Sequence, residues 1–216
     1  MSSLRHVMYQ RLHVWIQFQG LFMVGGNHTS SRLPLPMIRM KSTKVLTRNQ
    51  PMSVSDLNLA FRDLMAGNWL VQGDKALSIG RGSLRTVKVM RKLGFVDAIG
   101  VARKPCSSYV RRGNIYALPF NENSFDFVFS TAFISGARVP ARIVLEMARV
   151  LKQGSVGVLL TRLPGPTPAT TALVKAVDPL ASYLKFSDIV HVRRLNSTVI
   201  IVFKKRFTCN EDDEDQ

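Results

Sequence analysis

The residue types with most chemical potential lie in one short stretch, Asp74–Gly82, reading DKALSIGRG. Its apolar piece, Ala76–Ile79, breaks into Gly80-Arg81-Gly82. Glycines at the end of a strand allow a tight turn or a close approach of backbone to a ligand, because no Cβ stands in the way. Conventional catalytic groups are otherwise scarce. The sequence shows no Ser-His-Asp arrangement, carboxylate pair or metal-ligand cluster, and His191 is the one histidine of residues 53–207. Cys106 and Cys209 share no CxxC spacing and have no histidines clustered near them. That pattern argues against a disulfide scaffold or zinc site and favours a reducing compartment.

The elements that would position the glycine loop follow from apolar spacing. A helix is expected from Ser55 to about Met65, carrying Leu57, Leu59, Phe61 and Leu64, with Gly67 ending it in the left-handed conformation. The first strand is Ala76–Ile79. Ser83 is placed to cap a helix over Leu84–Leu93, whose Leu84, Val87, Met90 and Leu93 share one face, with Gly94 as terminator. Asp97–Ala102 reads as a second buried strand, Phe125–Phe129 as a later one, and Pro140–Lys152 as an amphipathic helix with Pro140 in its first turn and Gly154 ending it. Val156–Leu160 is a further buried strand. A loop at 164–168 and a helix near 171–184 follow. Ile189–Leu195 and Thr198–Phe203 then form an antiparallel hairpin about Asn196-Ser197. Strand, glycine loop, helix, strand is the opening of a βαβ unit, so the sheet is expected to be mostly parallel, with helices on both faces.

At 216 residues and 46% hydrophobic, the chain can build one sizeable core. Its net charge of +16 is unevenly spread. No acid precedes Asp56, whereas Glu211–Asp215 (EDDED) forms an acidic tail. Three parts are expected: a basic leader or linker over 1–52, a domain over 53–207, and the tail over 208–216. The most apolar piece of the leader, His13–Gly25, is interrupted by Gln17 and Gln19 and falls short of the ~20 apolar residues of a spanning helix, so no transmembrane helix is expected. Arginine-rich and free of acids, the leader fits an import signal for a mitochondrion or plastid; a weak membrane anchor and an unprocessed cytoplasmic leader remain open. A basic face (Arg85, Lys88, Arg91, Lys92, Lys104, Arg111, Arg112) would attract anionic partners such as nucleic acid, although no stacked-aromatic signature accompanies it in the sequence.

From Ala76 to about Leu160 the sequence resembles class I S-adenosylmethionine-dependent methyltransferases, especially the type 11 methyltransferase domain. ALSIGRG is similar to the first strand and glycine loop, and AIGVA to the second strand. GNIYALPFNENSFDFVFS resembles the family's G-D-x-x-x-L-P-F-x-x-x-S-F-D-x-V-x-S segment, and EMARVLKQGSVGVLL its E-x-x-R-V-L-K-P-G-G helix and fifth strand. The resemblance implies a Rossmann-like methyltransferase fold with S-adenosylmethionine as cofactor. It places the cofactor's contacts on Ser78, Gly80, Arg81 and Gly82 after the first strand, on Val101 and Ala102 at the second, on Asn114 and Ile115 after the third, and on Ser130 after the fourth.

In that family three carboxylates serve the ligand: one near the methionine ammonium, one on the ribose hydroxyls and one on the adenine amino group. This sequence has Ser78, Ala102 and Asn114 there. Leu84 stands where a third glycine is frequent, and Arg81 brings positive charge to a loop that would hold a net cation. Losing a charged acceptor costs about 1.5–3 kcal/mol, roughly ten- to more than hundredfold in affinity, so weak cofactor binding is expected. Asn114 can still accept a hydrogen bond through its amide oxygen. Several motif residues also have structural readings: Gly80 and Gly82 as a turn, Asp126 as a backbone acceptor, Glu146 with Arg149 as an ion pair, His191 as a hairpin residue, and Tyr116, Phe129 and Phe133 as core or pocket wall. Ser130-Thr131-Ala132-Phe133 does not match the Asn/Asp-Pro-Pro-Tyr/Phe signature of enzymes that methylate base or glutamine amines. Two readings stay open: a divergent methyltransferase for an acceptor the sequence does not name, and a catalytically inactive member acting as a binding or scaffold module.

Overall fold

Residues 51–105, 107–162, 177, 180–196 and 198–207 are described in the structure, a computed structural model. The chain divides into two units, Met1–Val45 and Leu46–Gln216, and the described residues belong to the second. The expected leader up to residue 50, Cys106, the loop at 164–168, most of the helix near 171–184, Ser197 and the tail with Cys209 lie outside them.

Among the described residues, seven strands make one sheet. They are β1 (Ala76–Ile79), β2 (Ile99–Ala102), β3 (Val110–Arg112), β4 (Phe125–Phe133), β5 (Leu151–Arg162), β6 (Ser187–Leu195) and β7 (Thr198–Lys205), in the order β3-β2-β1-β4-β5-β7-β6. The first five are mutually parallel, with Ser78 registered against Gly100 of β2 and Phe129 of β4. β7 runs antiparallel to β5 (Val158 opposite Val202) and to β6. The sheet is mostly parallel with a terminal hairpin, as expected. β1 is buried at every position, as a central parallel strand covered on both faces requires.

Helix α1 (Val54–Ala66) begins at Ser53, whose hydroxyl accepts the Asp56 N–H at 3.1 Å, and buries Leu57, Ala60, Phe61 and Leu64. Leu59 is exposed, contrary to expectation. Phe61 meets Phe129 edge-on, ring centroids 5.0 Å apart, which fixes α1 on the sheet. Gly67 has φ −84°, and the left-handed residue is Asn68 at φ 56°. A Cβ on Gly67 would stand 2.7 Å from the Trp69 ring, so that glycine serves a close approach and not a special dihedral.

Helix α2 (Ser83–Lys92) follows the glycine loop and buries Thr86, Val87, Val89 and Met90, leaving Leu84 and Leu93 half-buried. Gly82, not Ser83, occupies the N-cap position; the Ser83 side chain turns inward beside Gly100 and caps nothing. Helix α3 (Pro140–Val150) buries Ile143, Val144, Glu146, Met147 and Val150. It ends at Val150 and the chain enters β5 directly, so Gly154 (φ 74°) lies within β5 instead of terminating the helix. β2 is shorter than expected, because residues 97 and 98 belong to a turn, while β4 runs on to Phe133. Among the described residues no helix is long and apolar enough to cross a membrane.

Candidate functional site

In an open sheet of parallel strands, ligands bind beyond the carboxyl ends at the point where strand order reverses. Here that point lies between β1 and β4, since the chain runs outward through β2 and β3 and then returns to place β4 on the other side of β1. Gly80 and Thr131 stand there.

The glycine turn is held by its own backbone and by one side chain. Gly80 N–H donates to the Val101 carbonyl at 3.1 Å, tying the loop to β2. The Thr131 hydroxyl donates to the Ile79 carbonyl at 2.8 Å and accepts the Gly82 N–H at 3.1 Å. Gly80 has φ 109°, and a Cβ there would lie 2.6 Å from Thr131 Oγ1 and 3.0 Å from the Ala132 nitrogen. Gly80 is therefore required by the turn itself. Gly82 is not pressed in this way, its nearest would-be contact being Pro51 at 3.4 Å. Pro51 and Met52 lie over the turn, and Arg85 fixes them by donating to the Met52 carbonyl at 3.0 Å. Beneath them is a hollow of about 10 Å³ lined by Leu57, Thr86, Phe129, Thr131 and Leu160 among others, room for about one water.

The fold brings Gly80, Arg81, Gly82, Ala102, Asn114 and Ile115 to this edge. It does not bring Ser78, Val101 or Ser130 to its surface, because all three are fully buried. Ser78 Oγ has no hydrogen-bond partner, and neither has Ser83 Oγ. Val101 offers only its carbonyl, already taken by Gly80. Ser130 donates to the Ala132 carbonyl at 3.1 Å. Ala102 is half-buried and holds the Gly113 N–H with its carbonyl. Asn114 is exposed, and its amide oxygen accepts the Tyr116 N–H at 3.1 Å. Arg81 is exposed. Thr131, the side chain that organises the loop, stood in the sequence only as part of Ser130–Phe133; the register of Ile79 against Ser130 is what turns it onto the turn.

The electrostatics of this edge are basic. The loops that follow β1, β2 and β4 carry Arg81, Arg103, Lys104 and Arg138 and no Asp or Glu, and the one acid between β3 and β4, Glu122, stands three residues before β4 begins. Asp74 and Asp126 lie by the opposite, amino-terminal edge. There Asp126 accepts the Lys75 N–H at 3.1 Å and pairs with Lys152 at 2.7 Å. Burial pushes the Asp126 carboxyl up, but the Lys152 bond and the Lys75 N–H outweigh it and the net shift is downward. A ligand with a sulfonium and two ribose hydroxyls wants carboxylate acceptors, and the loops after β1, β2 and β4 supply none. Its residues do not fit the polar contacts of such a cofactor, although the glycine turn keeps the backbone part of a cradle.

Glu146 and Arg149 work elsewhere. Glu146 is 7% exposed and accepts the Leu118 N–H at 2.8 Å. Arg149 pairs with it at 2.9 Å and also donates to the Leu118 and Phe120 carbonyls, while Arg142 donates to the Tyr116 carbonyl at 2.9 Å. The pair clamps residues 116–120 onto α3. His191 is half-buried in β6, its ring 6.4 Å from that of Trp69. Phe129 is fully buried. Among the described residues no group of His, Cys, Asp and Glu could hold a metal ion.

A family model described as a methyltransferase domain matches residues 77–159. Solved structures of similar fold include a SAM-dependent methyltransferase from Aquifex aeolicus (13% identity, 70% of this chain and 97% of that one, TM-score 0.51). The cyclase SpnF (14%, 69% and 81%, TM-score 0.54) and a protein from Pyrococcus horikoshii (14%, 71% and 89%, TM-score 0.53) are others. No curated protein matches the sequence. Residues 77–159 thus match a methyltransferase domain, and the sheet built around them has the Rossmann-like fold of SAM-dependent methyltransferase structures.

Proposed function

We propose that this protein uses the methyltransferase fold as a binding module, with S-adenosylmethionine bound too weakly to support methyl transfer. One observation carries the reading: the loops after β1, β2 and β4, where the fold would seat the cofactor, carry four basic side chains and no carboxylate. Magnitudes favour it. Each missing charged acceptor costs about 1.5–3 kcal/mol, and Ala102 cannot substitute for one. Ser78 is sealed within the sheet, and the Asn114 oxygen already serves Tyr116. Even one such loss turns a micromolar site into one of tens to hundreds of micromolar.

A second reading, an active methyltransferase of unassigned acceptor, draws support from the family match and from Gly80, which keeps a left-handed turn at the reversal point of the sheet. Methyl transfer can rest largely on proximity and orientation, so this reading needs cofactor affinity and no general base. Calorimetric titration of the full chain with S-adenosylmethionine and its demethylated product separates the two. Absence of a binding isotherm at ~100 µM ligand supports the binding module; a micromolar isotherm supports the enzyme.

A further inference from the structure

The cations of this domain are unequally partnered. Between Arg81 and Arg112 the sequence has nine Lys and Arg against a single acid, Asp97. Among the described residues none of those nine pairs with a carboxylate; the ion pairs join Arg142, Arg149, Lys152, Arg193 and Arg206 to acids, all beyond this stretch. Among the described residues, the cations without a carboxylate partner thus sit on the glycine loop, α2, β3 and the loop between β2 and β3.

An aromatic ring lies among these cations. The Arg91 guanidinium lies over the Tyr109 ring, 4.4 Å from its centroid, and is fixed from behind by donating to the Ala98 carbonyl at 3.3 Å. Tyr109 nevertheless stays 43% exposed. Lys88 and Lys92 are exposed one turn apart on α2. Val110 packs on the α2 side of β3, its side chain beside Gly100 and Ser83. Arg112, two residues on and exposed, therefore projects to the same side. A flat ring backed by a guanidinium, within a field of unpaired cations, is the pairing that recognises a base and its phosphates together. An anionic lipid surface would use the cations but has no plane to stack on the ring.

We propose that the α2–β3 face binds single-stranded nucleic acid, with Tyr109 as a base-stacking platform and Lys88, Lys92 and Arg112 as phosphate contacts. This face is separate from the glycine turn and is compatible with either reading of that turn, so its failure would leave the cofactor titration untouched.

The test is fluorescence anisotropy of the full chain with a labelled single-stranded oligouridine at low salt, repeated as salt is raised. Saturable binding is expected, falling with salt at a log–log slope of about −2 for three phosphate contacts. Tyr109→Ala should lower affinity roughly five- to hundredfold at unchanged slope, with Tyr109→Trp retaining binding. Lys88→Glu with Arg112→Glu, both exposed, should flatten the slope by about 1.4. Circular dichroism reports whether each variant is folded, and the surface pair keeps the test alive if Tyr109→Ala is not. Absence of binding at low salt would overturn the proposal. So would binding that persists in all variants, which would place it on the leader, or binding of anionic vesicles without the oligonucleotide, which would make the face a lipid contact.

Discussion

Thr131 and Gly80 define each other's place: the Thr131 hydroxyl lies where a Gly80 Cβ would come within 2.6 Å, and it bridges the Ile79 carbonyl and the Gly82 N–H. Thr131→Val keeps the shape and deletes both bonds, leaving a buried donor and acceptor unpaired. A loss of about 1–3 kcal/mol in denaturant unfolding is expected. Gly80→Ala meets both the left-handed dihedral and the clash, and should cost at least as much.

Glu146 is expected to matter for stability and not for chemistry. Glu146→Ala removes the acceptor of the Leu118 N–H and strands Arg149 against two carbonyls. Breaking a buried pair costs about 3–5 kcal/mol; with Arg149 one-third exposed, about 2–4 kcal/mol is the expectation. Chemical denaturation measures it. Glu146→Gln, which can still accept from Leu118, should lose less.

Acid should destabilise the domain in two stages. Burial lowers the His191 pKa below its ordinary 6.5, so the unfolded chain takes up a proton that the folded one resists. That contribution is present above about 6.5 and is lost as pH falls below it. Glu146 follows at lower pH. Burial raises its carboxyl, but Arg149 and the Leu118 N–H overcome this and hold it below 4.5. Its stabilisation is present above 4.5 and disappears as pH falls through the lowered value. Asp74, raised by burial, opposes the second stage. Thermal melts from pH 8 to 3 should show both limbs, and His191→Gln should flatten the upper one alone.

Replacing Ala102 by aspartate should restore a charged acceptor beside the glycine turn. Affinity for S-adenosylmethionine should rise roughly ten- to more than hundredfold, read by calorimetry against the unmodified chain. No gain would mean that the obstacle lies elsewhere, with Leu84 or the Pro51–Met52 cover as the next places to look.

Much of the frame was legible in the sequence. Ala76–Ile79 emerged with its boundaries intact because an uninterrupted apolar run before a glycine has few other uses, and the hairpin was marked by Asn196-Ser197 between two β-rich runs. β3 was not legible, because only Val110 of its three residues is buried and its pairing is supplied by β2. The Ser83 cap failed for a similar reason, since the space beside Gly100, invisible to local pattern, draws that side chain inward. The site was legible in composition and not in geometry. The missing acids could be read directly, whereas the burial of Ser78 and the bond from Tyr116 to Asn114 depend on register and on a local turn. The Arg91–Tyr109 stack joins a helix to the turn before β3, 18 positions later, a distance across which sequence pattern carries no signal.

The most direct test of the central claim is equilibrium dialysis of the full chain against radiolabelled S-adenosylmethionine, from micromolar to millimolar. The missing carboxylates predict a dissociation constant of about 100 µM or weaker, with Gly80→Arg changing little beyond stability. A saturable micromolar site abolished by Gly80→Arg would contradict the account and return the protein to the active methyltransferases.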